Sequence, residues 1–194
     1  MSEPSSFLLK CQISRSALHQ FMASPIMPFD TYSDWDTISF EILDEELRFV
    51  RSLEGKQTWN WLRPQFLGDE VVHRFHHHEN TDTLVYCNML LSESWSFFLP
   101  FLHVIRGIGA FLAQDGGYAI IHNYIYAPTL TQALITFSGK SSTLVDVDSF
   151  TPEIDSYVKD ASTVFSEMVS QSDKKYDLGE PYDAFYEFDQ YKPG

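Results

Sequence analysis

Apolar positions alternate in some stretches of the chain and recur at three- and four-residue intervals in others, and each change of period marks a new element. Phe7 to Ile13 alternates and predicts a strand. Ser14 then stands as an N-cap, and Leu18, Phe21 and Met22 share one face of a short helix that Pro25 stops. After a loop to Trp35, the weak alternation of Asp36 to Leu43 predicts a peripheral strand. Asp44 to Leu62 is helical, with Leu47, Val50 and Leu53 on its apolar face, a split at Gly55 and a stop at Pro64. Val71 to His78 and Thr83 to Leu91 are β-rich runs joined by Glu79 to Asp82, which predicts a hairpin. A long apolar helix from Trp95 to near Gln114 exits through Asp115, Gly116 and Gly117 into a strand from Tyr118 to Tyr126. Ala133 to Phe137 and Thr143 to Val147 predict a second hairpin around Gly139. Thr151 caps and Pro152 opens a last helix, in which Ile154, Val158, Ala161, Phe165 and Met168 keep helical spacing.

This order predicts an α+β fold: a mostly antiparallel sheet with helices packed on one face, in a ferredoxin-like split β-α-β arrangement with an early helical insertion. A chain of 194 residues with 44% hydrophobic content supports one core, so residues 1–175 are expected to form a single domain. Residues 176–194 are expected as an acidic aromatic tail, held to the body by its aromatics or extended as an arm. Cys11 and Cys87 sit in apolar runs and read as reduced, buried thiols. The first residues carry no basic leader pattern. Trp95 to Ala113 has the length of a membrane span, but Pro100, His103 and Arg106 interrupt it, so a cytoplasmic protein without a membrane partner is expected.

A formal charge of −14 changes the picture most, because such a surface repels nucleic acid and attracts basic proteins. The acids at the C-terminal end are interleaved with aromatics, the residue type that builds interface hot spots. Asp177, Glu180, Tyr182, Asp183, Tyr186, Glu187 and Asp189 are therefore the candidate partner-binding residues. Neither a GxSxG elbow nor a complete glycine-rich nucleotide loop is present, since Gly107 and Gly109 lack the preceding strand and third glycine. The expectation is a non-enzymatic, cofactor-free protein, monomeric or homodimeric. In general character it is similar to immunity and antitoxin proteins, which occlude the active surface of a basic toxin or effector.

The alternative is a small metal-dependent enzyme or metal-binding regulator built on His73 to His78. On an alternating strand His73, Phe75 and His77 face one way, and Arg74, His76 and His78 the other. His73, His77 and His122 are the candidate ligands, with Glu79, Asp82 and His103 as further donors, although no HExxH or cysteine pair accompanies them. His103 and Arg106 share a helix face. They form either a polar site or a helix-rim arginine paired with Glu93 or Asp115.

Overall fold

The computed structural model describes residues 5–38, 41–66, 73–92, 94–125, 130–148, 151–178 and 184–194. Its strands are β1 (Ser5–Gln12), β2 (His73–His78), β3 (Thr83–Ser92), β4 (Tyr118–His122), β5 (Thr131–Ser138) and β6 (Ser141–Val145). They form one six-stranded sheet in the order β2-β3-β1-β4-β5-β6, antiparallel throughout. The connection from β1 to β2 therefore skips β3, and that from β3 to β4 skips β1. The first carries α1 (Arg15–Ala23), α2 (Asp44–Arg51) and α3 (Thr58–Leu62), and the second carries α4 (Trp95–Arg106). The chain is an α+β protein.

Local chemistry explains most boundaries. The Ser14 hydroxyl accepts the Ala17 N–H at 3.2 Å at the start of α1, and Gly55, with φ of 76°, separates α2 from α3. Gly139 and Lys140 both have positive φ, as the tight turn between β5 and β6 requires. The Thr151 hydroxyl accepts the Ile154 N–H at 3.3 Å and opens α5 (Pro152–Leu178). Past Arg106 the winding tightens into a 3-10 helix over Gly107–Phe111. There Gly109 is a steric necessity, because a Cβ would stand 2.8 Å from the Ser141 carbonyl oxygen of β6.

Phe7, Leu8 and Leu9 are consecutive and all buried, which requires cover on both faces of β1. One face carries Phe7, Phe75, Tyr86, Ile121 and Ile135 and packs against α1 to α4. The other carries Leu8, Val85, Cys87, Ile120 and Leu134 and packs against Ile154, Ala161, Phe165 and Met168 of α5. Helices on one face are thus joined by a single long helix on the second, because an apolar face of this extent is stabilised only when removed from water. Asp160 fixes α5 in place by accepting Lys10 Nζ at 2.7 Å and the Tyr118 hydroxyl at 2.8 Å.

The peripheral strand expected at 36–43 is replaced, over its described residues, by a 3-10 turn at Trp35–Thr37 and the approach to α2. Side chains hold this segment in place of a β ladder: Trp35 stacks on Phe29 with centroids 4.9 Å apart, and Asp34 bonds to Arg106. Among the described residues no helix is long and apolar enough to cross a membrane.

Candidate functional site

The outer edge of the sheet brings together two features that lie far apart in sequence. β2 is an edge strand, and the short helix α6 (Ala184–Asp189) with the residues after it packs against it. Phe188 is fully buried, with ring centroids 5.1 Å from Phe75 and 6.2 Å from Trp59, and Tyr191 lies 5.7 Å from Phe75. Phe188 and Tyr191 are three apart, and the Tyr191 N–H donates to the Phe188 carbonyl at 3.0 Å, so the turn that ends α6 presents both rings to the sheet.

A cleft of about 540 Å³ remains where this segment meets the β2–β3 hairpin, lined by Arg15, His76, His78, Glu79, Glu187 and Tyr191. Its charges are satisfied from within. His76 Nδ1 meets the Glu187 carboxylate at 2.9 Å, Arg15 pairs with Glu79, and Arg15 Nη2 donates to Gln190 Oε1 at 3.1 Å. Burial, and then the neighbouring His76 and Arg74, lower the His78 pKa. Just outside, Arg63 donates to both oxygens of Asp189 at 3.1 and 3.3 Å. Glu187 and Asp189, two of the candidate partner-binding acids, thus already hold basic groups of the chain itself. Asp177 and Tyr186 are described as backbone positions in α5 and α6, and Glu180, Tyr182 and Asp183 lie outside the described residues.

The imidazoles proposed as metal ligands are not brought together. His77 is on the α1 to α4 side, where its Nε2–H donates to the Ile13 carbonyl at 2.7 Å, whereas β4 directs His122 to the side of Tyr118 and Ile120, facing α5. His73 shares the side of His77, and burial lowers its pKa. Among the described residues no group of three His, Cys, Asp or Glu side chains has metal-holding geometry. Both cysteines are free and buried on opposite faces of the sheet. Burial pushes the Cys11 thiol up to about 12 and Cys87 higher still, so neither is poised as a nucleophile.

The strongest electrostatic feature is one the sequence did not assemble. Arg106 is 1% exposed and donates from Nη2 to Asp34 at 2.6 Å and to the Ser142 carbonyl at 3.1 Å, and from Nε to the Ser142 hydroxyl at 3.0 Å. Its guanidinium carbon sits 4.0 Å from the Tyr32 ring centroid and 4.6 Å from that of Trp35. The rim pairing with Glu93 or Asp115 gives way to this buried knot. Asp115 instead accepts the Gly139 N–H, and Glu93 lies outside the described residues. Asp34 also accepts the Leu144 N–H at 2.8 Å, so the knot ties the loop before α2 to the β6 edge. Burial alone would raise the Asp34 pKa. The Leu144 N–H and Arg106 outweigh it and hold the carboxyl below its ordinary value.

Fold and cleft together define an antiparallel α+β protein whose C-terminal segment closes one edge of its own sheet. The chain matches no family model, no curated protein and no solved structure.

Proposed function

We propose that this chain is a non-enzymatic acidic binding protein of the immunity or antitoxin type, which neutralises a basic protein by occluding its active surface. The observation that carries the reading is the formal charge of −14. The C-terminal acids whose side chains are described are paired internally, so the reading is supported best by a second acidic region. Between Asp30 and Glu54 stand eight acidic residues against two arginines. Asp34 is held by Arg106, Asp30 by Arg51, and Glu46 is buried, so the exposed acids at the start of α2 carry the argument. Asp44 and Glu45 are exposed in the first turn of α2, beside Leu43 at 45% and Phe49 at 50% exposure. Glu45 and Phe49 are four apart on one helix face and line a cleft of about 460 Å³ that Phe97 of α4 completes. An exposed ring within a carboxylate rim suits a basic partner: the ring supplies buried area and the acids steer approach.

The test is affinity capture of the tagged protein from its native cells at low and high salt, repeated with Asp44→Asn/Glu45→Gln/Phe49→Ala. The reading expects one stoichiometric basic protein, retained at low salt, released at high salt and lost with the variant. Capture of no basic protein, or retention indifferent to both salt and the substitutions, contradicts it.

A further inference from the structure

Glu187 and Asp189 hold basic groups of the chain itself, whereas two acids of α2 do not. Neither Glu45 nor Glu46 has an ion-pair partner among the described residues. The arginines of their own helix are engaged elsewhere: Arg48 Nε donates to the Asp44 carbonyl at 3.2 Å, and Arg51 pairs with Asp30. Glu46 is only 6% exposed, and a carboxylate is almost never buried to this extent unless it is paired. One of its oxygens accepts the Leu43 N–H at 3.1 Å and so caps the helix. The other has no partner among the described residues and is not sealed from solvent.

The cleft that Glu46 lines offers what an organic cation needs. Glu45 and Glu46 stand four and three residues before Phe49 on α2, so all three share a helix face, and Ser96 and Phe97 line the cleft from α4. The Phe97 ring is held by stacking on Phe101 and Trp61, with centroids 5.6 and 6.4 Å away, so little of its freedom remains to be lost on binding. Phe49 is half exposed beside it. An aromatic face attracts a cation, the more so once water is displaced. A guanidinium suits this setting better than an ammonium, because it is planar and weakly hydrated, stacks on rings, and carries a fork of N–H donors that reaches more than one oxygen.

We propose that this cleft takes one arginine side chain of the basic protein partner, whose guanidinium donates to the unpaired Glu46 oxygen and whose stem lies against Phe49 and Phe97. Resting on the binding role proposed above, this makes Glu46 the anchor and leaves Glu45 at the rim to steer approach. The burial of Glu46 sets it apart from the other acids of α2, because a desolvated charge pair governs dissociation whereas a rim charge acts mainly on the rate of encounter.

A capped glycine-arginine-glycine tripeptide and its lysine and citrulline counterparts are the probes, titrated with the full chain by ligand-observed NMR at about 0.15 M salt, where diffuse attraction to the acidic surface is screened. The arginine peptide is expected to saturate at millimolar concentration or below, the lysine peptide to bind at least about three-fold more weakly, and the uncharged citrulline peptide not to saturate. Glu46→Gln, which keeps an oxygen for the Leu43 N–H, is expected to weaken the arginine peptide at least about ten-fold while keeping the native circular dichroism spectrum. If that variant does not fold, Phe49→Ala, at an exposed position, is expected to weaken it at least about three-fold. The assignment is overturned if the arginine peptide shows no saturation, if either counterpart binds as tightly, or if a folded Glu46→Gln or Phe49→Ala protein binds it like the native chain. Because no natural partner enters this test, such a result overturns the arginine pocket and leaves the broader binding role standing, whereas capture of no basic protein contradicts that role and not the pocket.

Discussion

Asp34→Ala is the substitution that most directly probes how this fold is held, because it strands a buried cation. Arg106 loses its only described carboxylate and keeps its Ser142 bonds, while Leu144 loses an acceptor for its N–H. Breaking a buried ion pair by removing one partner costs about 3–5 kcal/mol. Because the Asp34 side chain is 27% exposed, water compensates part of the loss and the low end, about 3 kcal/mol, is expected. At about 2–4 °C per kcal/mol for a chain of this size, Tm should fall by about 6–12 °C. Urea unfolding followed by tryptophan fluorescence, to which Trp35 beside the knot contributes, measures the effect. Replacing the cation as well, in Asp34→Ala/Arg106→Met, removes the stranded charge. The double variant should therefore be more stable than the two single losses sum to, by at least about 1 kcal/mol. The pH dependence has a definite sign. Asp34 has a folded pKa below its unfolded value of about 3.9, so its contribution is complete above that pH and is lost as pH falls through the folded value. The native protein should lose stability more steeply than Asp34→Ala across that acid range. A loss under about 1 kcal/mol, or strict additivity in the cycle, would refute the view that Arg106 and Asp34 act as one buried unit.

Phe188→Ala should destabilise by about 3–5 kcal/mol, whereas Glu187→Gln, at a half-exposed pair with His76, should change stability by under about 1 kcal/mol; equal effects in denaturant titrations would show that charge, not the buried ring, docks the C-terminal segment. Neither Cys11 nor Cys87 should react with a thiol reagent at neutral pH until the protein unfolds, and rapid labelling of the folded chain would contradict their burial. Gly109→Ala should lower Tm markedly because its Cβ meets the Ser141 carbonyl, while Gly107→Ala, with only Phe21 nearby, should leave Tm unchanged or raise it, as read by thermal unfolding.

What the sequence made readable was local. The Ser14 cap, the split at Gly55, both hairpin turns and the start of α5 each depend on a few adjacent residues, and the structure has them where period and capping place them, although β6 runs over Ser141–Val145, two residues earlier than expected, and the expected start of the first hairpin at Val71 lies outside the described residues. What it concealed depends on distant pairings. Asp34 and Arg106 are separated by 72 positions, and nothing in a loop aspartate advertises a partner in a distant helix. The cover on the second face was signalled by Phe7-Leu8-Leu9, since consecutive apolar residues on a strand demand burial on both sides. The tail was expected either held to the body by its aromatics or extended as an arm, and burial of Phe188 and Tyr191 shows the first for its described residues, though their acidic neighbours gave no sign of which. For the candidate site, the His-rich strand and the C-terminal acids were each visible as compositional oddities. Their meeting at one sheet edge, through His76 and Glu187, came only from the fold.

The proposed role rests on attraction between an acidic surface and a basic partner, and association kinetics read that attraction directly. With the protein retained in capture purified, its association rate should be measured by stopped flow across a range of salt concentrations for the native chain and for Asp44→Asn/Glu45→Gln. A rate that falls steeply with salt, and a variant that is slower at low salt and less salt-dependent, is the predicted result. A rate independent of salt and identical in the variant would contradict the acidic surface as the means of recognition.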